Sequence, residues 1–256
     1  MRIQNFTIGT DFEVVALRDG EPASVINLIG GTKNNPLLVT GGNLQEDNVL
    51  AEGATDPAGD KETWLQTIAM IKDHLASKLE TLGMTPDYSP VAMYREHDIS
   101  HPMAQQFGCD PDYNAWTGRK NEPPCASHAG RMRTAGGHVS IGYDHQRDGN
   151  RLRHIVKCLD MYLAIPMLFV DPDRQRRELY GKAGSFRPKP FGVEYRALSN
   201  VWVGKDLGEW VYDTVAFVLD KHDDIEVPNE VQTVIDSYNL PLAETLMARH
   251  NIGAIA

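Results

Sequence analysis

"AGGHVSIGYD", at residues 135–144, begins with a glycine pair and continues with alternating polar and apolar side chains. Because side chains alternate between the two faces of a strand, His138 and Asp144 lie on the face opposite Val139 and Ile141. The apolar face predicts contact with a hydrophobic core. The polar face raises the question of what a histidine and an aspartate bind there.

Three other segments show the same two-faced alternation: "TDFEVVAL" (10–17), "EDNVLAEGAT" (46–55) and "GVEYRAL" (192–198). The last belongs to a longer predicted strand, "FGVEYRALSNVWV", at residues 191–203. If helices cover the apolar faces, the polar side chains of all four strands lie together on the opposite face of the sheet. That set is Asp11, Glu13, Glu52, His138, Glu194 and Arg196.

Like charges placed so close together favour bound cations, and carboxylates with one histidine suit Mg²⁺ or Mn²⁺ better than a structural zinc. A short basic segment, "DRQRRELYGKAGSFRPKP" (173–190), predicts a neighbouring phosphate site. Taken singly, the motifs are more typical of a solvated strand face, a turn before an ordinary histidine, and a cross-strand ion pair. Their joint occurrence favours a site for a metal–nucleotide complex.

The remaining patterns predict the α+β class, with a mostly antiparallel β-sheet and helices on one face. Asp19-Gly20 predicts a hairpin turn. Helical spacing of apolar residues predicts an amphipathic helix at 61–82 that Gly83 ends, and a second helix at 150–170 that Pro166 kinks or ends. Further helices are predicted at 207–222, 229–239 and 242–251. We expect residues 1–256 to form a single domain.

Composition excludes several classes of protein. The chain has 256 residues, is 41% hydrophobic and carries a formal net charge of -10, which makes nucleic acid an improbable partner. We expect no membrane span and no signal peptide, hence a cytoplasmic location. Cys109, Cys125 and Cys158 show no CxxC spacing, so neither a disulfide framework nor a zinc site is predicted.

These motifs resemble those of the phage-encoded COOH-NH2 ligase type 2 (amidoligase) family, a branch of the glutamine synthetase and glutamate-cysteine ligase superfamily. The resemblance extends from "IGTDFE" (8–13) through "EDNVLAE" (46–52) and "AGGHVSIG" (135–142) to "YGKAGSFRPKPFGVEYRALSNVW" (180–202). It implies a curved antiparallel sheet like the glutamine synthetase catalytic domain, with helices on the convex face. The concave face would form a funnel for Mg-ATP and an acceptor substrate, in the host cytoplasm if the protein is phage-encoded.

The resemblance also implies roles for single residues. Asp11, Glu13, Glu52, His138 and Glu194 match metal ligands, and Arg187, Arg196 and Lys189 match groups that contact the transferred phosphoryl group; Glu194, Arg187 and Arg196 would be catalytic. Asp60 matches a further metal carboxylate more weakly. Ser140 stands where relatives often carry a second histidine. Glu62, Asp144 and His145 are candidates for the base that deprotonates an amine, by proximity to the motifs only.

The implied reaction is ATP-dependent amide formation through an acyl phosphate, with release of ADP and phosphate. The carboxylate and amine could belong to small molecules or peptides, and the oligomeric state stays open. Two alternatives remain at this point. One is a phosphotransferase like the guanidino kinases, which would not need an amine. The other is a non-catalytic virion or host-binding relative of the fold.

Overall fold

One long strand, β1 (Thr7–Arg18), organises the fold in a computed structural model that describes residues 2–105, 112–122, 129–144 and 148–255. Its first half pairs with β5 on one side and β10 on the other, and its second half pairs with β2 and β6. The other strands are β2 (Glu21–Pro22), β3 (Leu37–Val39), β4 (Gly42–Asp47), β5 (Leu50–Thr55), β6 (Thr85–Asp87), β7 (Val91–Met93), β8 (Tyr113–Asn114), β9 (Met132–Thr134), β10 (Gly137–Gly142), β11 (Ser185–Lys189) and β12 (Gly192–Tyr195).

The main sheet follows the order β3-β4-β5-β1-β10-β12-β11-β8, and β7 pairs separately with β9. Every pairing among the described strands is antiparallel, which confirms the predicted α+β class with a mostly antiparallel sheet. The helices are α1 (Lys61–Thr81), α2 (Glu96–Ile99), α3 (Gly149–Leu159), α4 (Arg176–Leu179), α5 (Val201–Gly204), α6 (Gly208–Lys221), α7 (Glu230–Ser237) and α8 (Leu240–Arg249).

The main core lies between the sheet and the long helices. Helix α1 contributes Trp64, Ile71 and Leu75 to it, on the apolar stripe predicted from the sequence. The helix ends where expected, because Gly83 takes a positive φ of 67° and its N–H donates to the Glu80 carbonyl. The strands supply the opposite wall of the core with the apolar residues of their alternating pattern.

A smaller apolar cluster covers part of the other sheet face, beyond the polar residues of β1. Val15 continues the row of Asp11 and Glu13, and it packs with Leu50 and Tyr94. The predicted polar face is therefore polar over half of β1 only. This cluster closes one end of the face and leaves the other end accessible.

The segment predicted as one strand at 46–55 consists of two strands, and that prediction is wrong. Asn48 adopts a positive φ of 57°, and its side-chain amide donates to the Met103 and Ala104 carbonyls. The turn at this residue separates β4 from β5, and Glu52 keeps its predicted face on β5.

The strand predicted over 191–203 is also too long, because β12 ends at Tyr195 and helix α5 begins at Val201. The carbonyls of Ala197 and Leu198 accept hydrogen bonds from Arg176. Arg176, from another part of the chain, thus bonds backbone carbonyls that a longer strand would use to pair with a neighbouring strand.

The second long helix, α3, continues through a π-helical turn at Asp160–Ala164 and ends after Ile165–Met167, one residue past Pro166. Among the cysteines, Cys158 is a buried free thiol, whereas Cys109 and Cys125 lie outside the described residues. Within the described ranges, no helix combines the length and apolarity needed to cross a bilayer.

Candidate active site

The register of three central strands brings Asp11, His138 and Glu194 together on the polar face. Asp11 on β1 stands directly opposite His138 on β10, and Glu194 on β12 stands opposite Ser140, the next residue on that face of β10. One side-chain ligand atom from each of the three residues lies within 4.8 Å of the others. His138 Nδ1 is 3.3 Å from Asp11 Oδ2.

The chemistry of this group fits a divalent cation. Asp11 Oδ1 is buried and has no hydrogen-bond partner within the part of the chain that the structure describes. Burial opposes ionisation of Asp11, but His138, Arg196 and Lys189 together hold its pKa below the usual range. Burial and Arg196 lower the pKa of His138, which favours the neutral imidazole that binds metals.

Three cationic side chains surround Glu194 on the same polar face of the sheet. Lys189 Nζ lies 2.6 Å from Glu194 Oε2, Arg187 Nη1 lies 3.0 Å from Oε1, and Arg196 Nη1 also donates to Oε1. Burial and Asp11 oppose the ionisation of Glu194, but Arg196, His138 and Arg187 outweigh them and lower its pKa. The Glu194 carboxylate is therefore charged, and it links the candidate metal group to three cations.

Glu13 and Glu52 face the same cavity but lie outside the three-residue group. They are direct partners across β1 and β5. Glu13 Oε2 accepts from the Gly136 N–H at 2.5 Å, and Glu52 Oε2 accepts from Gln45 at 2.9 Å. Burial and Asp47 raise the pKa of Glu13 to about 8 and raise that of Glu52 as well. Repulsion of this kind is what a bound cation would relieve.

The polar face forms the floor of a cavity of about 620 Å³. A smaller cavity of about 60 Å³ adjoins it. The two share the side chains of Glu13, Asp47, His138 and Arg196 in their walls. The site thus has two adjoining compartments, and two of the predicted ligands, Glu13 and His138, line both.

Other candidates from the sequence lie elsewhere. Asp60 caps helix α1 by accepting from the Thr63 N–H at 2.9 Å, and Glu62 is exposed on the first turn of the same helix. Asp144 is exposed beyond the end of β10, and His145 lies outside the described residues.

The six cations of the basic segment do not converge on one phosphate site. Arg187 and Lys189 line the large cavity. Arg176 is buried and donates to the carbonyls of Ala135, Ala197 and Leu198, and Arg174 lies over the ring of Tyr238. Clustering in sequence did not predict clustering in space, because helix α4 and the following turn separate the two halves of the segment.

Sequence reasoning missed Asp47, which lines both compartments, and Phe191, which lines the large one. Asp47 ends β4, a strand that was merged with β5 in the prediction. The alternation of Asn43, Gln45 and Asp47 after Gly41-Gly42 was the signal that could have shown it.

The site therefore combines carboxylates, a histidine and cations on the open face of an antiparallel sheet, as the resemblance to the glutamine synthetase superfamily implies. The sequence profile of the family described as phage phiEco32-like COOH.NH2 ligase-type 2 matches residues 126–240. This match confirms, over that stretch, the family resemblance found in the motifs. A comparison with curated proteins finds no match.

Solved structures similar to this chain include one described as a novel glutamine synthase homolog, with a TM-score of 0.47 at 11% identity over 95% of this chain. A second is GmaS without ligand, with a TM-score of 0.42 at 11% identity over 95% of this chain. A third is a bifunctional glutathione synthetase from Pasteurella multocida, with a TM-score of 0.37 at 13% identity over 96% of this chain. The chain spans 62%, 64% and 45% of their respective lengths.

Proposed function

We propose that this protein is an ATP-dependent carboxylate–amine ligase that forms an amide through an acyl-phosphate intermediate. The observation that carries the proposal is the convergence of Asp11, His138 and Glu194 beside Arg187, Lys189 and Arg196 on the floor of one cavity. Carboxylate and imidazole ligands next to fixed cations suit a metal-bound polyphosphate. The matched family carries the same type of activity in its description.

The chemistry has two steps. An oxygen of the substrate carboxylate attacks the γ-phosphorus of ATP, and the bond from that phosphorus to the bridging oxygen breaks to release ADP. The amine nitrogen then attacks the carbonyl carbon of the acyl phosphate, loses a proton and expels inorganic phosphate. Each step needs charge neutralisation and alignment more than covalent participation of the protein.

Asp11, His138 and Glu194 would hold one Mg²⁺ or Mn²⁺ ion, and Glu13 with Glu52 would hold further cationic charge. When bound, the metal supplies neutralisation of phosphate charge and fixed geometry for the transfer. Arg187, Lys189 and Arg196 would stabilise the negative charge of the phosphoryl oxygens, because they are held within a partly enclosed cavity.

The acceptor would bind in the large cavity with its reacting carboxylate next to the smaller compartment, where Glu13, His138 and Arg196 line both. Both the carboxylate and the amine are proposed to belong to small molecules or peptides. Arg196 lines both compartments, so it is placed to contact the transferred phosphoryl group and the carboxylate that receives it.

The proposal is tested by incubating the protein with Mg-ATP and a mixture of metabolites, and measuring ADP, phosphate and any new amide by mass spectrometry. ADP release that requires both a carboxylate and an amine, without AMP, supports the ligase. ADP release that needs no amine would identify a phosphotransferase instead. Intact ATP together with no nucleotide binding would indicate a non-catalytic protein.

Once the substrates are identified, Glu194→Gln and Arg196→Ala are expected to lower turnover by about 10²-fold or more each, since each removes a fixed charge beside the transferred group. Glu62→Gln and Arg249→Ala, which change exposed charges outside the cavity, serve as matched controls. Steady-state kinetics with a folding check by circular dichroism makes the measurement. Near-normal turnover in either cavity variant would contradict the assigned roles.

A further inference from the structure

The floor of the large cavity changes character along β1 and β10. Three successive pairs face the cavity, namely Asp11 with His138, Gly9 with Ser140, and Thr7 with Gly142. The first pair belongs to the candidate metal group. The other two pairs carry small side chains. The outer pair, Thr7 with Gly142, lies four residues along β1 from Asp11, a distance of roughly 13 Å. A flat ligand can therefore approach this part of the sheet closely.

Phe191 stands at the outer end of this floor. It belongs to the two-residue turn between β11 and β12, in which Lys189 pairs with Gly192. The side chain is 51% exposed and lines the cavity. A methyl group added to Gly142 would lie 3.7 Å from Phe191 Cδ2, so the ring edge is close to the floor.

The position of Phe191 is fixed by its backbone. Pro190 precedes it and restricts the turn, because the proline ring fixes its own φ. The Phe191 carbonyl accepts from the Tyr143 N–H at 2.9 Å, at the end of β10. A large apolar side chain is thus held half exposed beside the cavity on a rigid turn. Such a side chain loses little conformational freedom when a ligand covers it.

The arrangement along the cavity is ordered. The candidate metal group lies at the inner end, Arg187 and Lys189 follow on β11, and Phe191 lies two residues beyond Lys189. The chemical groups of a nucleoside triphosphate follow the same order, with metal-binding phosphates at one end and a planar base at the other. Bases stack on aromatic side chains with little regard to their identity.

We propose that Phe191 is the stacking platform for the nucleobase, an inference that rests on the proposed ATP-dependent function. The aromatic contact to the nucleotide comes from the β11–β12 turn, because the floor between the candidate metal group and this turn carries only small side chains. The base is recognised by its planar face.

The test is calorimetric titration of the full chain, in the presence of Mg²⁺, with a non-hydrolysable ATP analogue and with inorganic tripolyphosphate. Tripolyphosphate has the charge and metal-binding groups but no base. Phe191→Ala is expected to weaken binding of the ATP analogue roughly 10- to 100-fold and to leave tripolyphosphate binding unchanged. Phe191→Trp, which keeps an aromatic face, is expected to restore the affinity.

Phe169→Ala is the matched control, because Phe169 is also exposed, by 43%, and does not line the cavity. Unchanged binding of the ATP analogue by Phe191→Ala would overturn the inference while the proposed function stands. Equal losses of analogue and tripolyphosphate would also overturn it, since they indicate a general disturbance of the cavity. If the unaltered protein binds neither ligand, the proposed function itself fails.

Discussion

Glu194 lies between two core residues, Val193 and Tyr195, so its position depends on what holds β12 from behind. The Tyr195 hydroxyl donates a hydrogen bond to Asp160 Oδ1 at 2.8 Å, and the Trp116 indole N–H donates one to Oδ2 at 2.6 Å. Asp160 is fully buried in the π-helical turn, and this burial raises its pKa to about 7. One carboxyl group thus joins a helix, a loop and the strand that carries the site.

Stability should depend on pH through Asp160. The unfolded carboxyl group ionises near its ordinary pKa of 3.8 and the folded one near about 7, so the folded state binds more protons in between. The contribution of Asp160 therefore disfavours the folded state increasingly as the pH rises from about 4 to about 7. Asp160→Asn does not titrate, and its amide can still accept from Trp116 and donate to Tyr195.

Denaturant unfolding of both proteins at pH 4.5 and pH 8 makes the measurement. The stability of Asp160→Asn relative to the unaltered protein is expected to rise between the two conditions, by up to roughly 3 kcal/mol. A pH-independent difference between the two proteins would show that Asp160 does not titrate in this range.

At the scale of elements, the short helix α4 holds two strands of the site in register through Arg176. This buried side chain donates to the Ala135 carbonyl before β10 and to the Ala197 and Leu198 carbonyls after β12. Burial lowers the pKa of Arg176 to about 10, so the group remains charged at neutral pH. The Ala135 and Leu198 carbonyls also accept from the Asn200 and Gly137 N–H groups, so Arg176 adds a second hydrogen bond to two of the three carbonyls and joins all three.

Arg176→Met is expected to destabilise the fold by roughly 3 kcal/mol, because it removes three buried hydrogen bonds of a charged group. Arg174→Met, which changes the neighbouring cation stacked on Tyr238, is expected to cost about 1 kcal/mol or less. Chemical denaturation of the two variants compares them directly. Equal costs would show that Arg176 has no special structural role.

Local patterns predicted the elements whose structure is determined locally. Alternation assigned Glu13 and His138 to the polar face, and helical spacing assigned Trp64 to the core. The ends of β5 and β12 were missed, because they depend on a positive φ at Asn48 and on hydrogen bonds from Arg176.

The candidate site could be predicted only in part, for the same reason. The sequence predicted that Asp11, Glu13, Glu52, His138 and Glu194 share one face. It could not predict that, among the residues that the structure describes, Asp11, His138 and Glu194 are the three that converge within 4.8 Å, because that depends on the register between strands. The roles of these residues as metal ligands stay predictions.

At the scale of the whole molecule, a chain with a net charge of -10 places the cationic side chains of Arg187, Lys189 and Arg196 in the cavity that contains its candidate metal group. If a metal–nucleotide complex binds there, it joins β1, β10, β11 and β12. A ligand that binds only the folded state stabilises it, by about 2.7 kcal/mol at a hundredfold excess over Kd.

We therefore expect Mg²⁺ with a non-hydrolysable ATP analogue to raise the Tm by roughly 5 to 10 °C at that excess, in a thermal shift assay. The analogue with EDTA should give a much smaller rise, because the metal neutralises phosphate charge. Glu194→Gln should also show a smaller rise, whereas Glu62→Gln should respond like the unaltered protein. A Tm that stays constant at saturating analogue and Mg²⁺ would contradict nucleotide binding.

The pairing of β1 with β10 also has a kinetic consequence, since Asp11 and His138 are 127 residues apart in the chain. Contacts at such separations slow folding, because the entropy of closing the loop is lost before the contact forms. During synthesis β1 leaves the ribosome before β10, which follows about 125 residues later, or about 6 to 25 s at typical elongation rates. For that interval one edge of β1 lacks the strand that pairs with it in the folded sheet, so the nascent chain exposes an unpaired strand edge that favours aggregation.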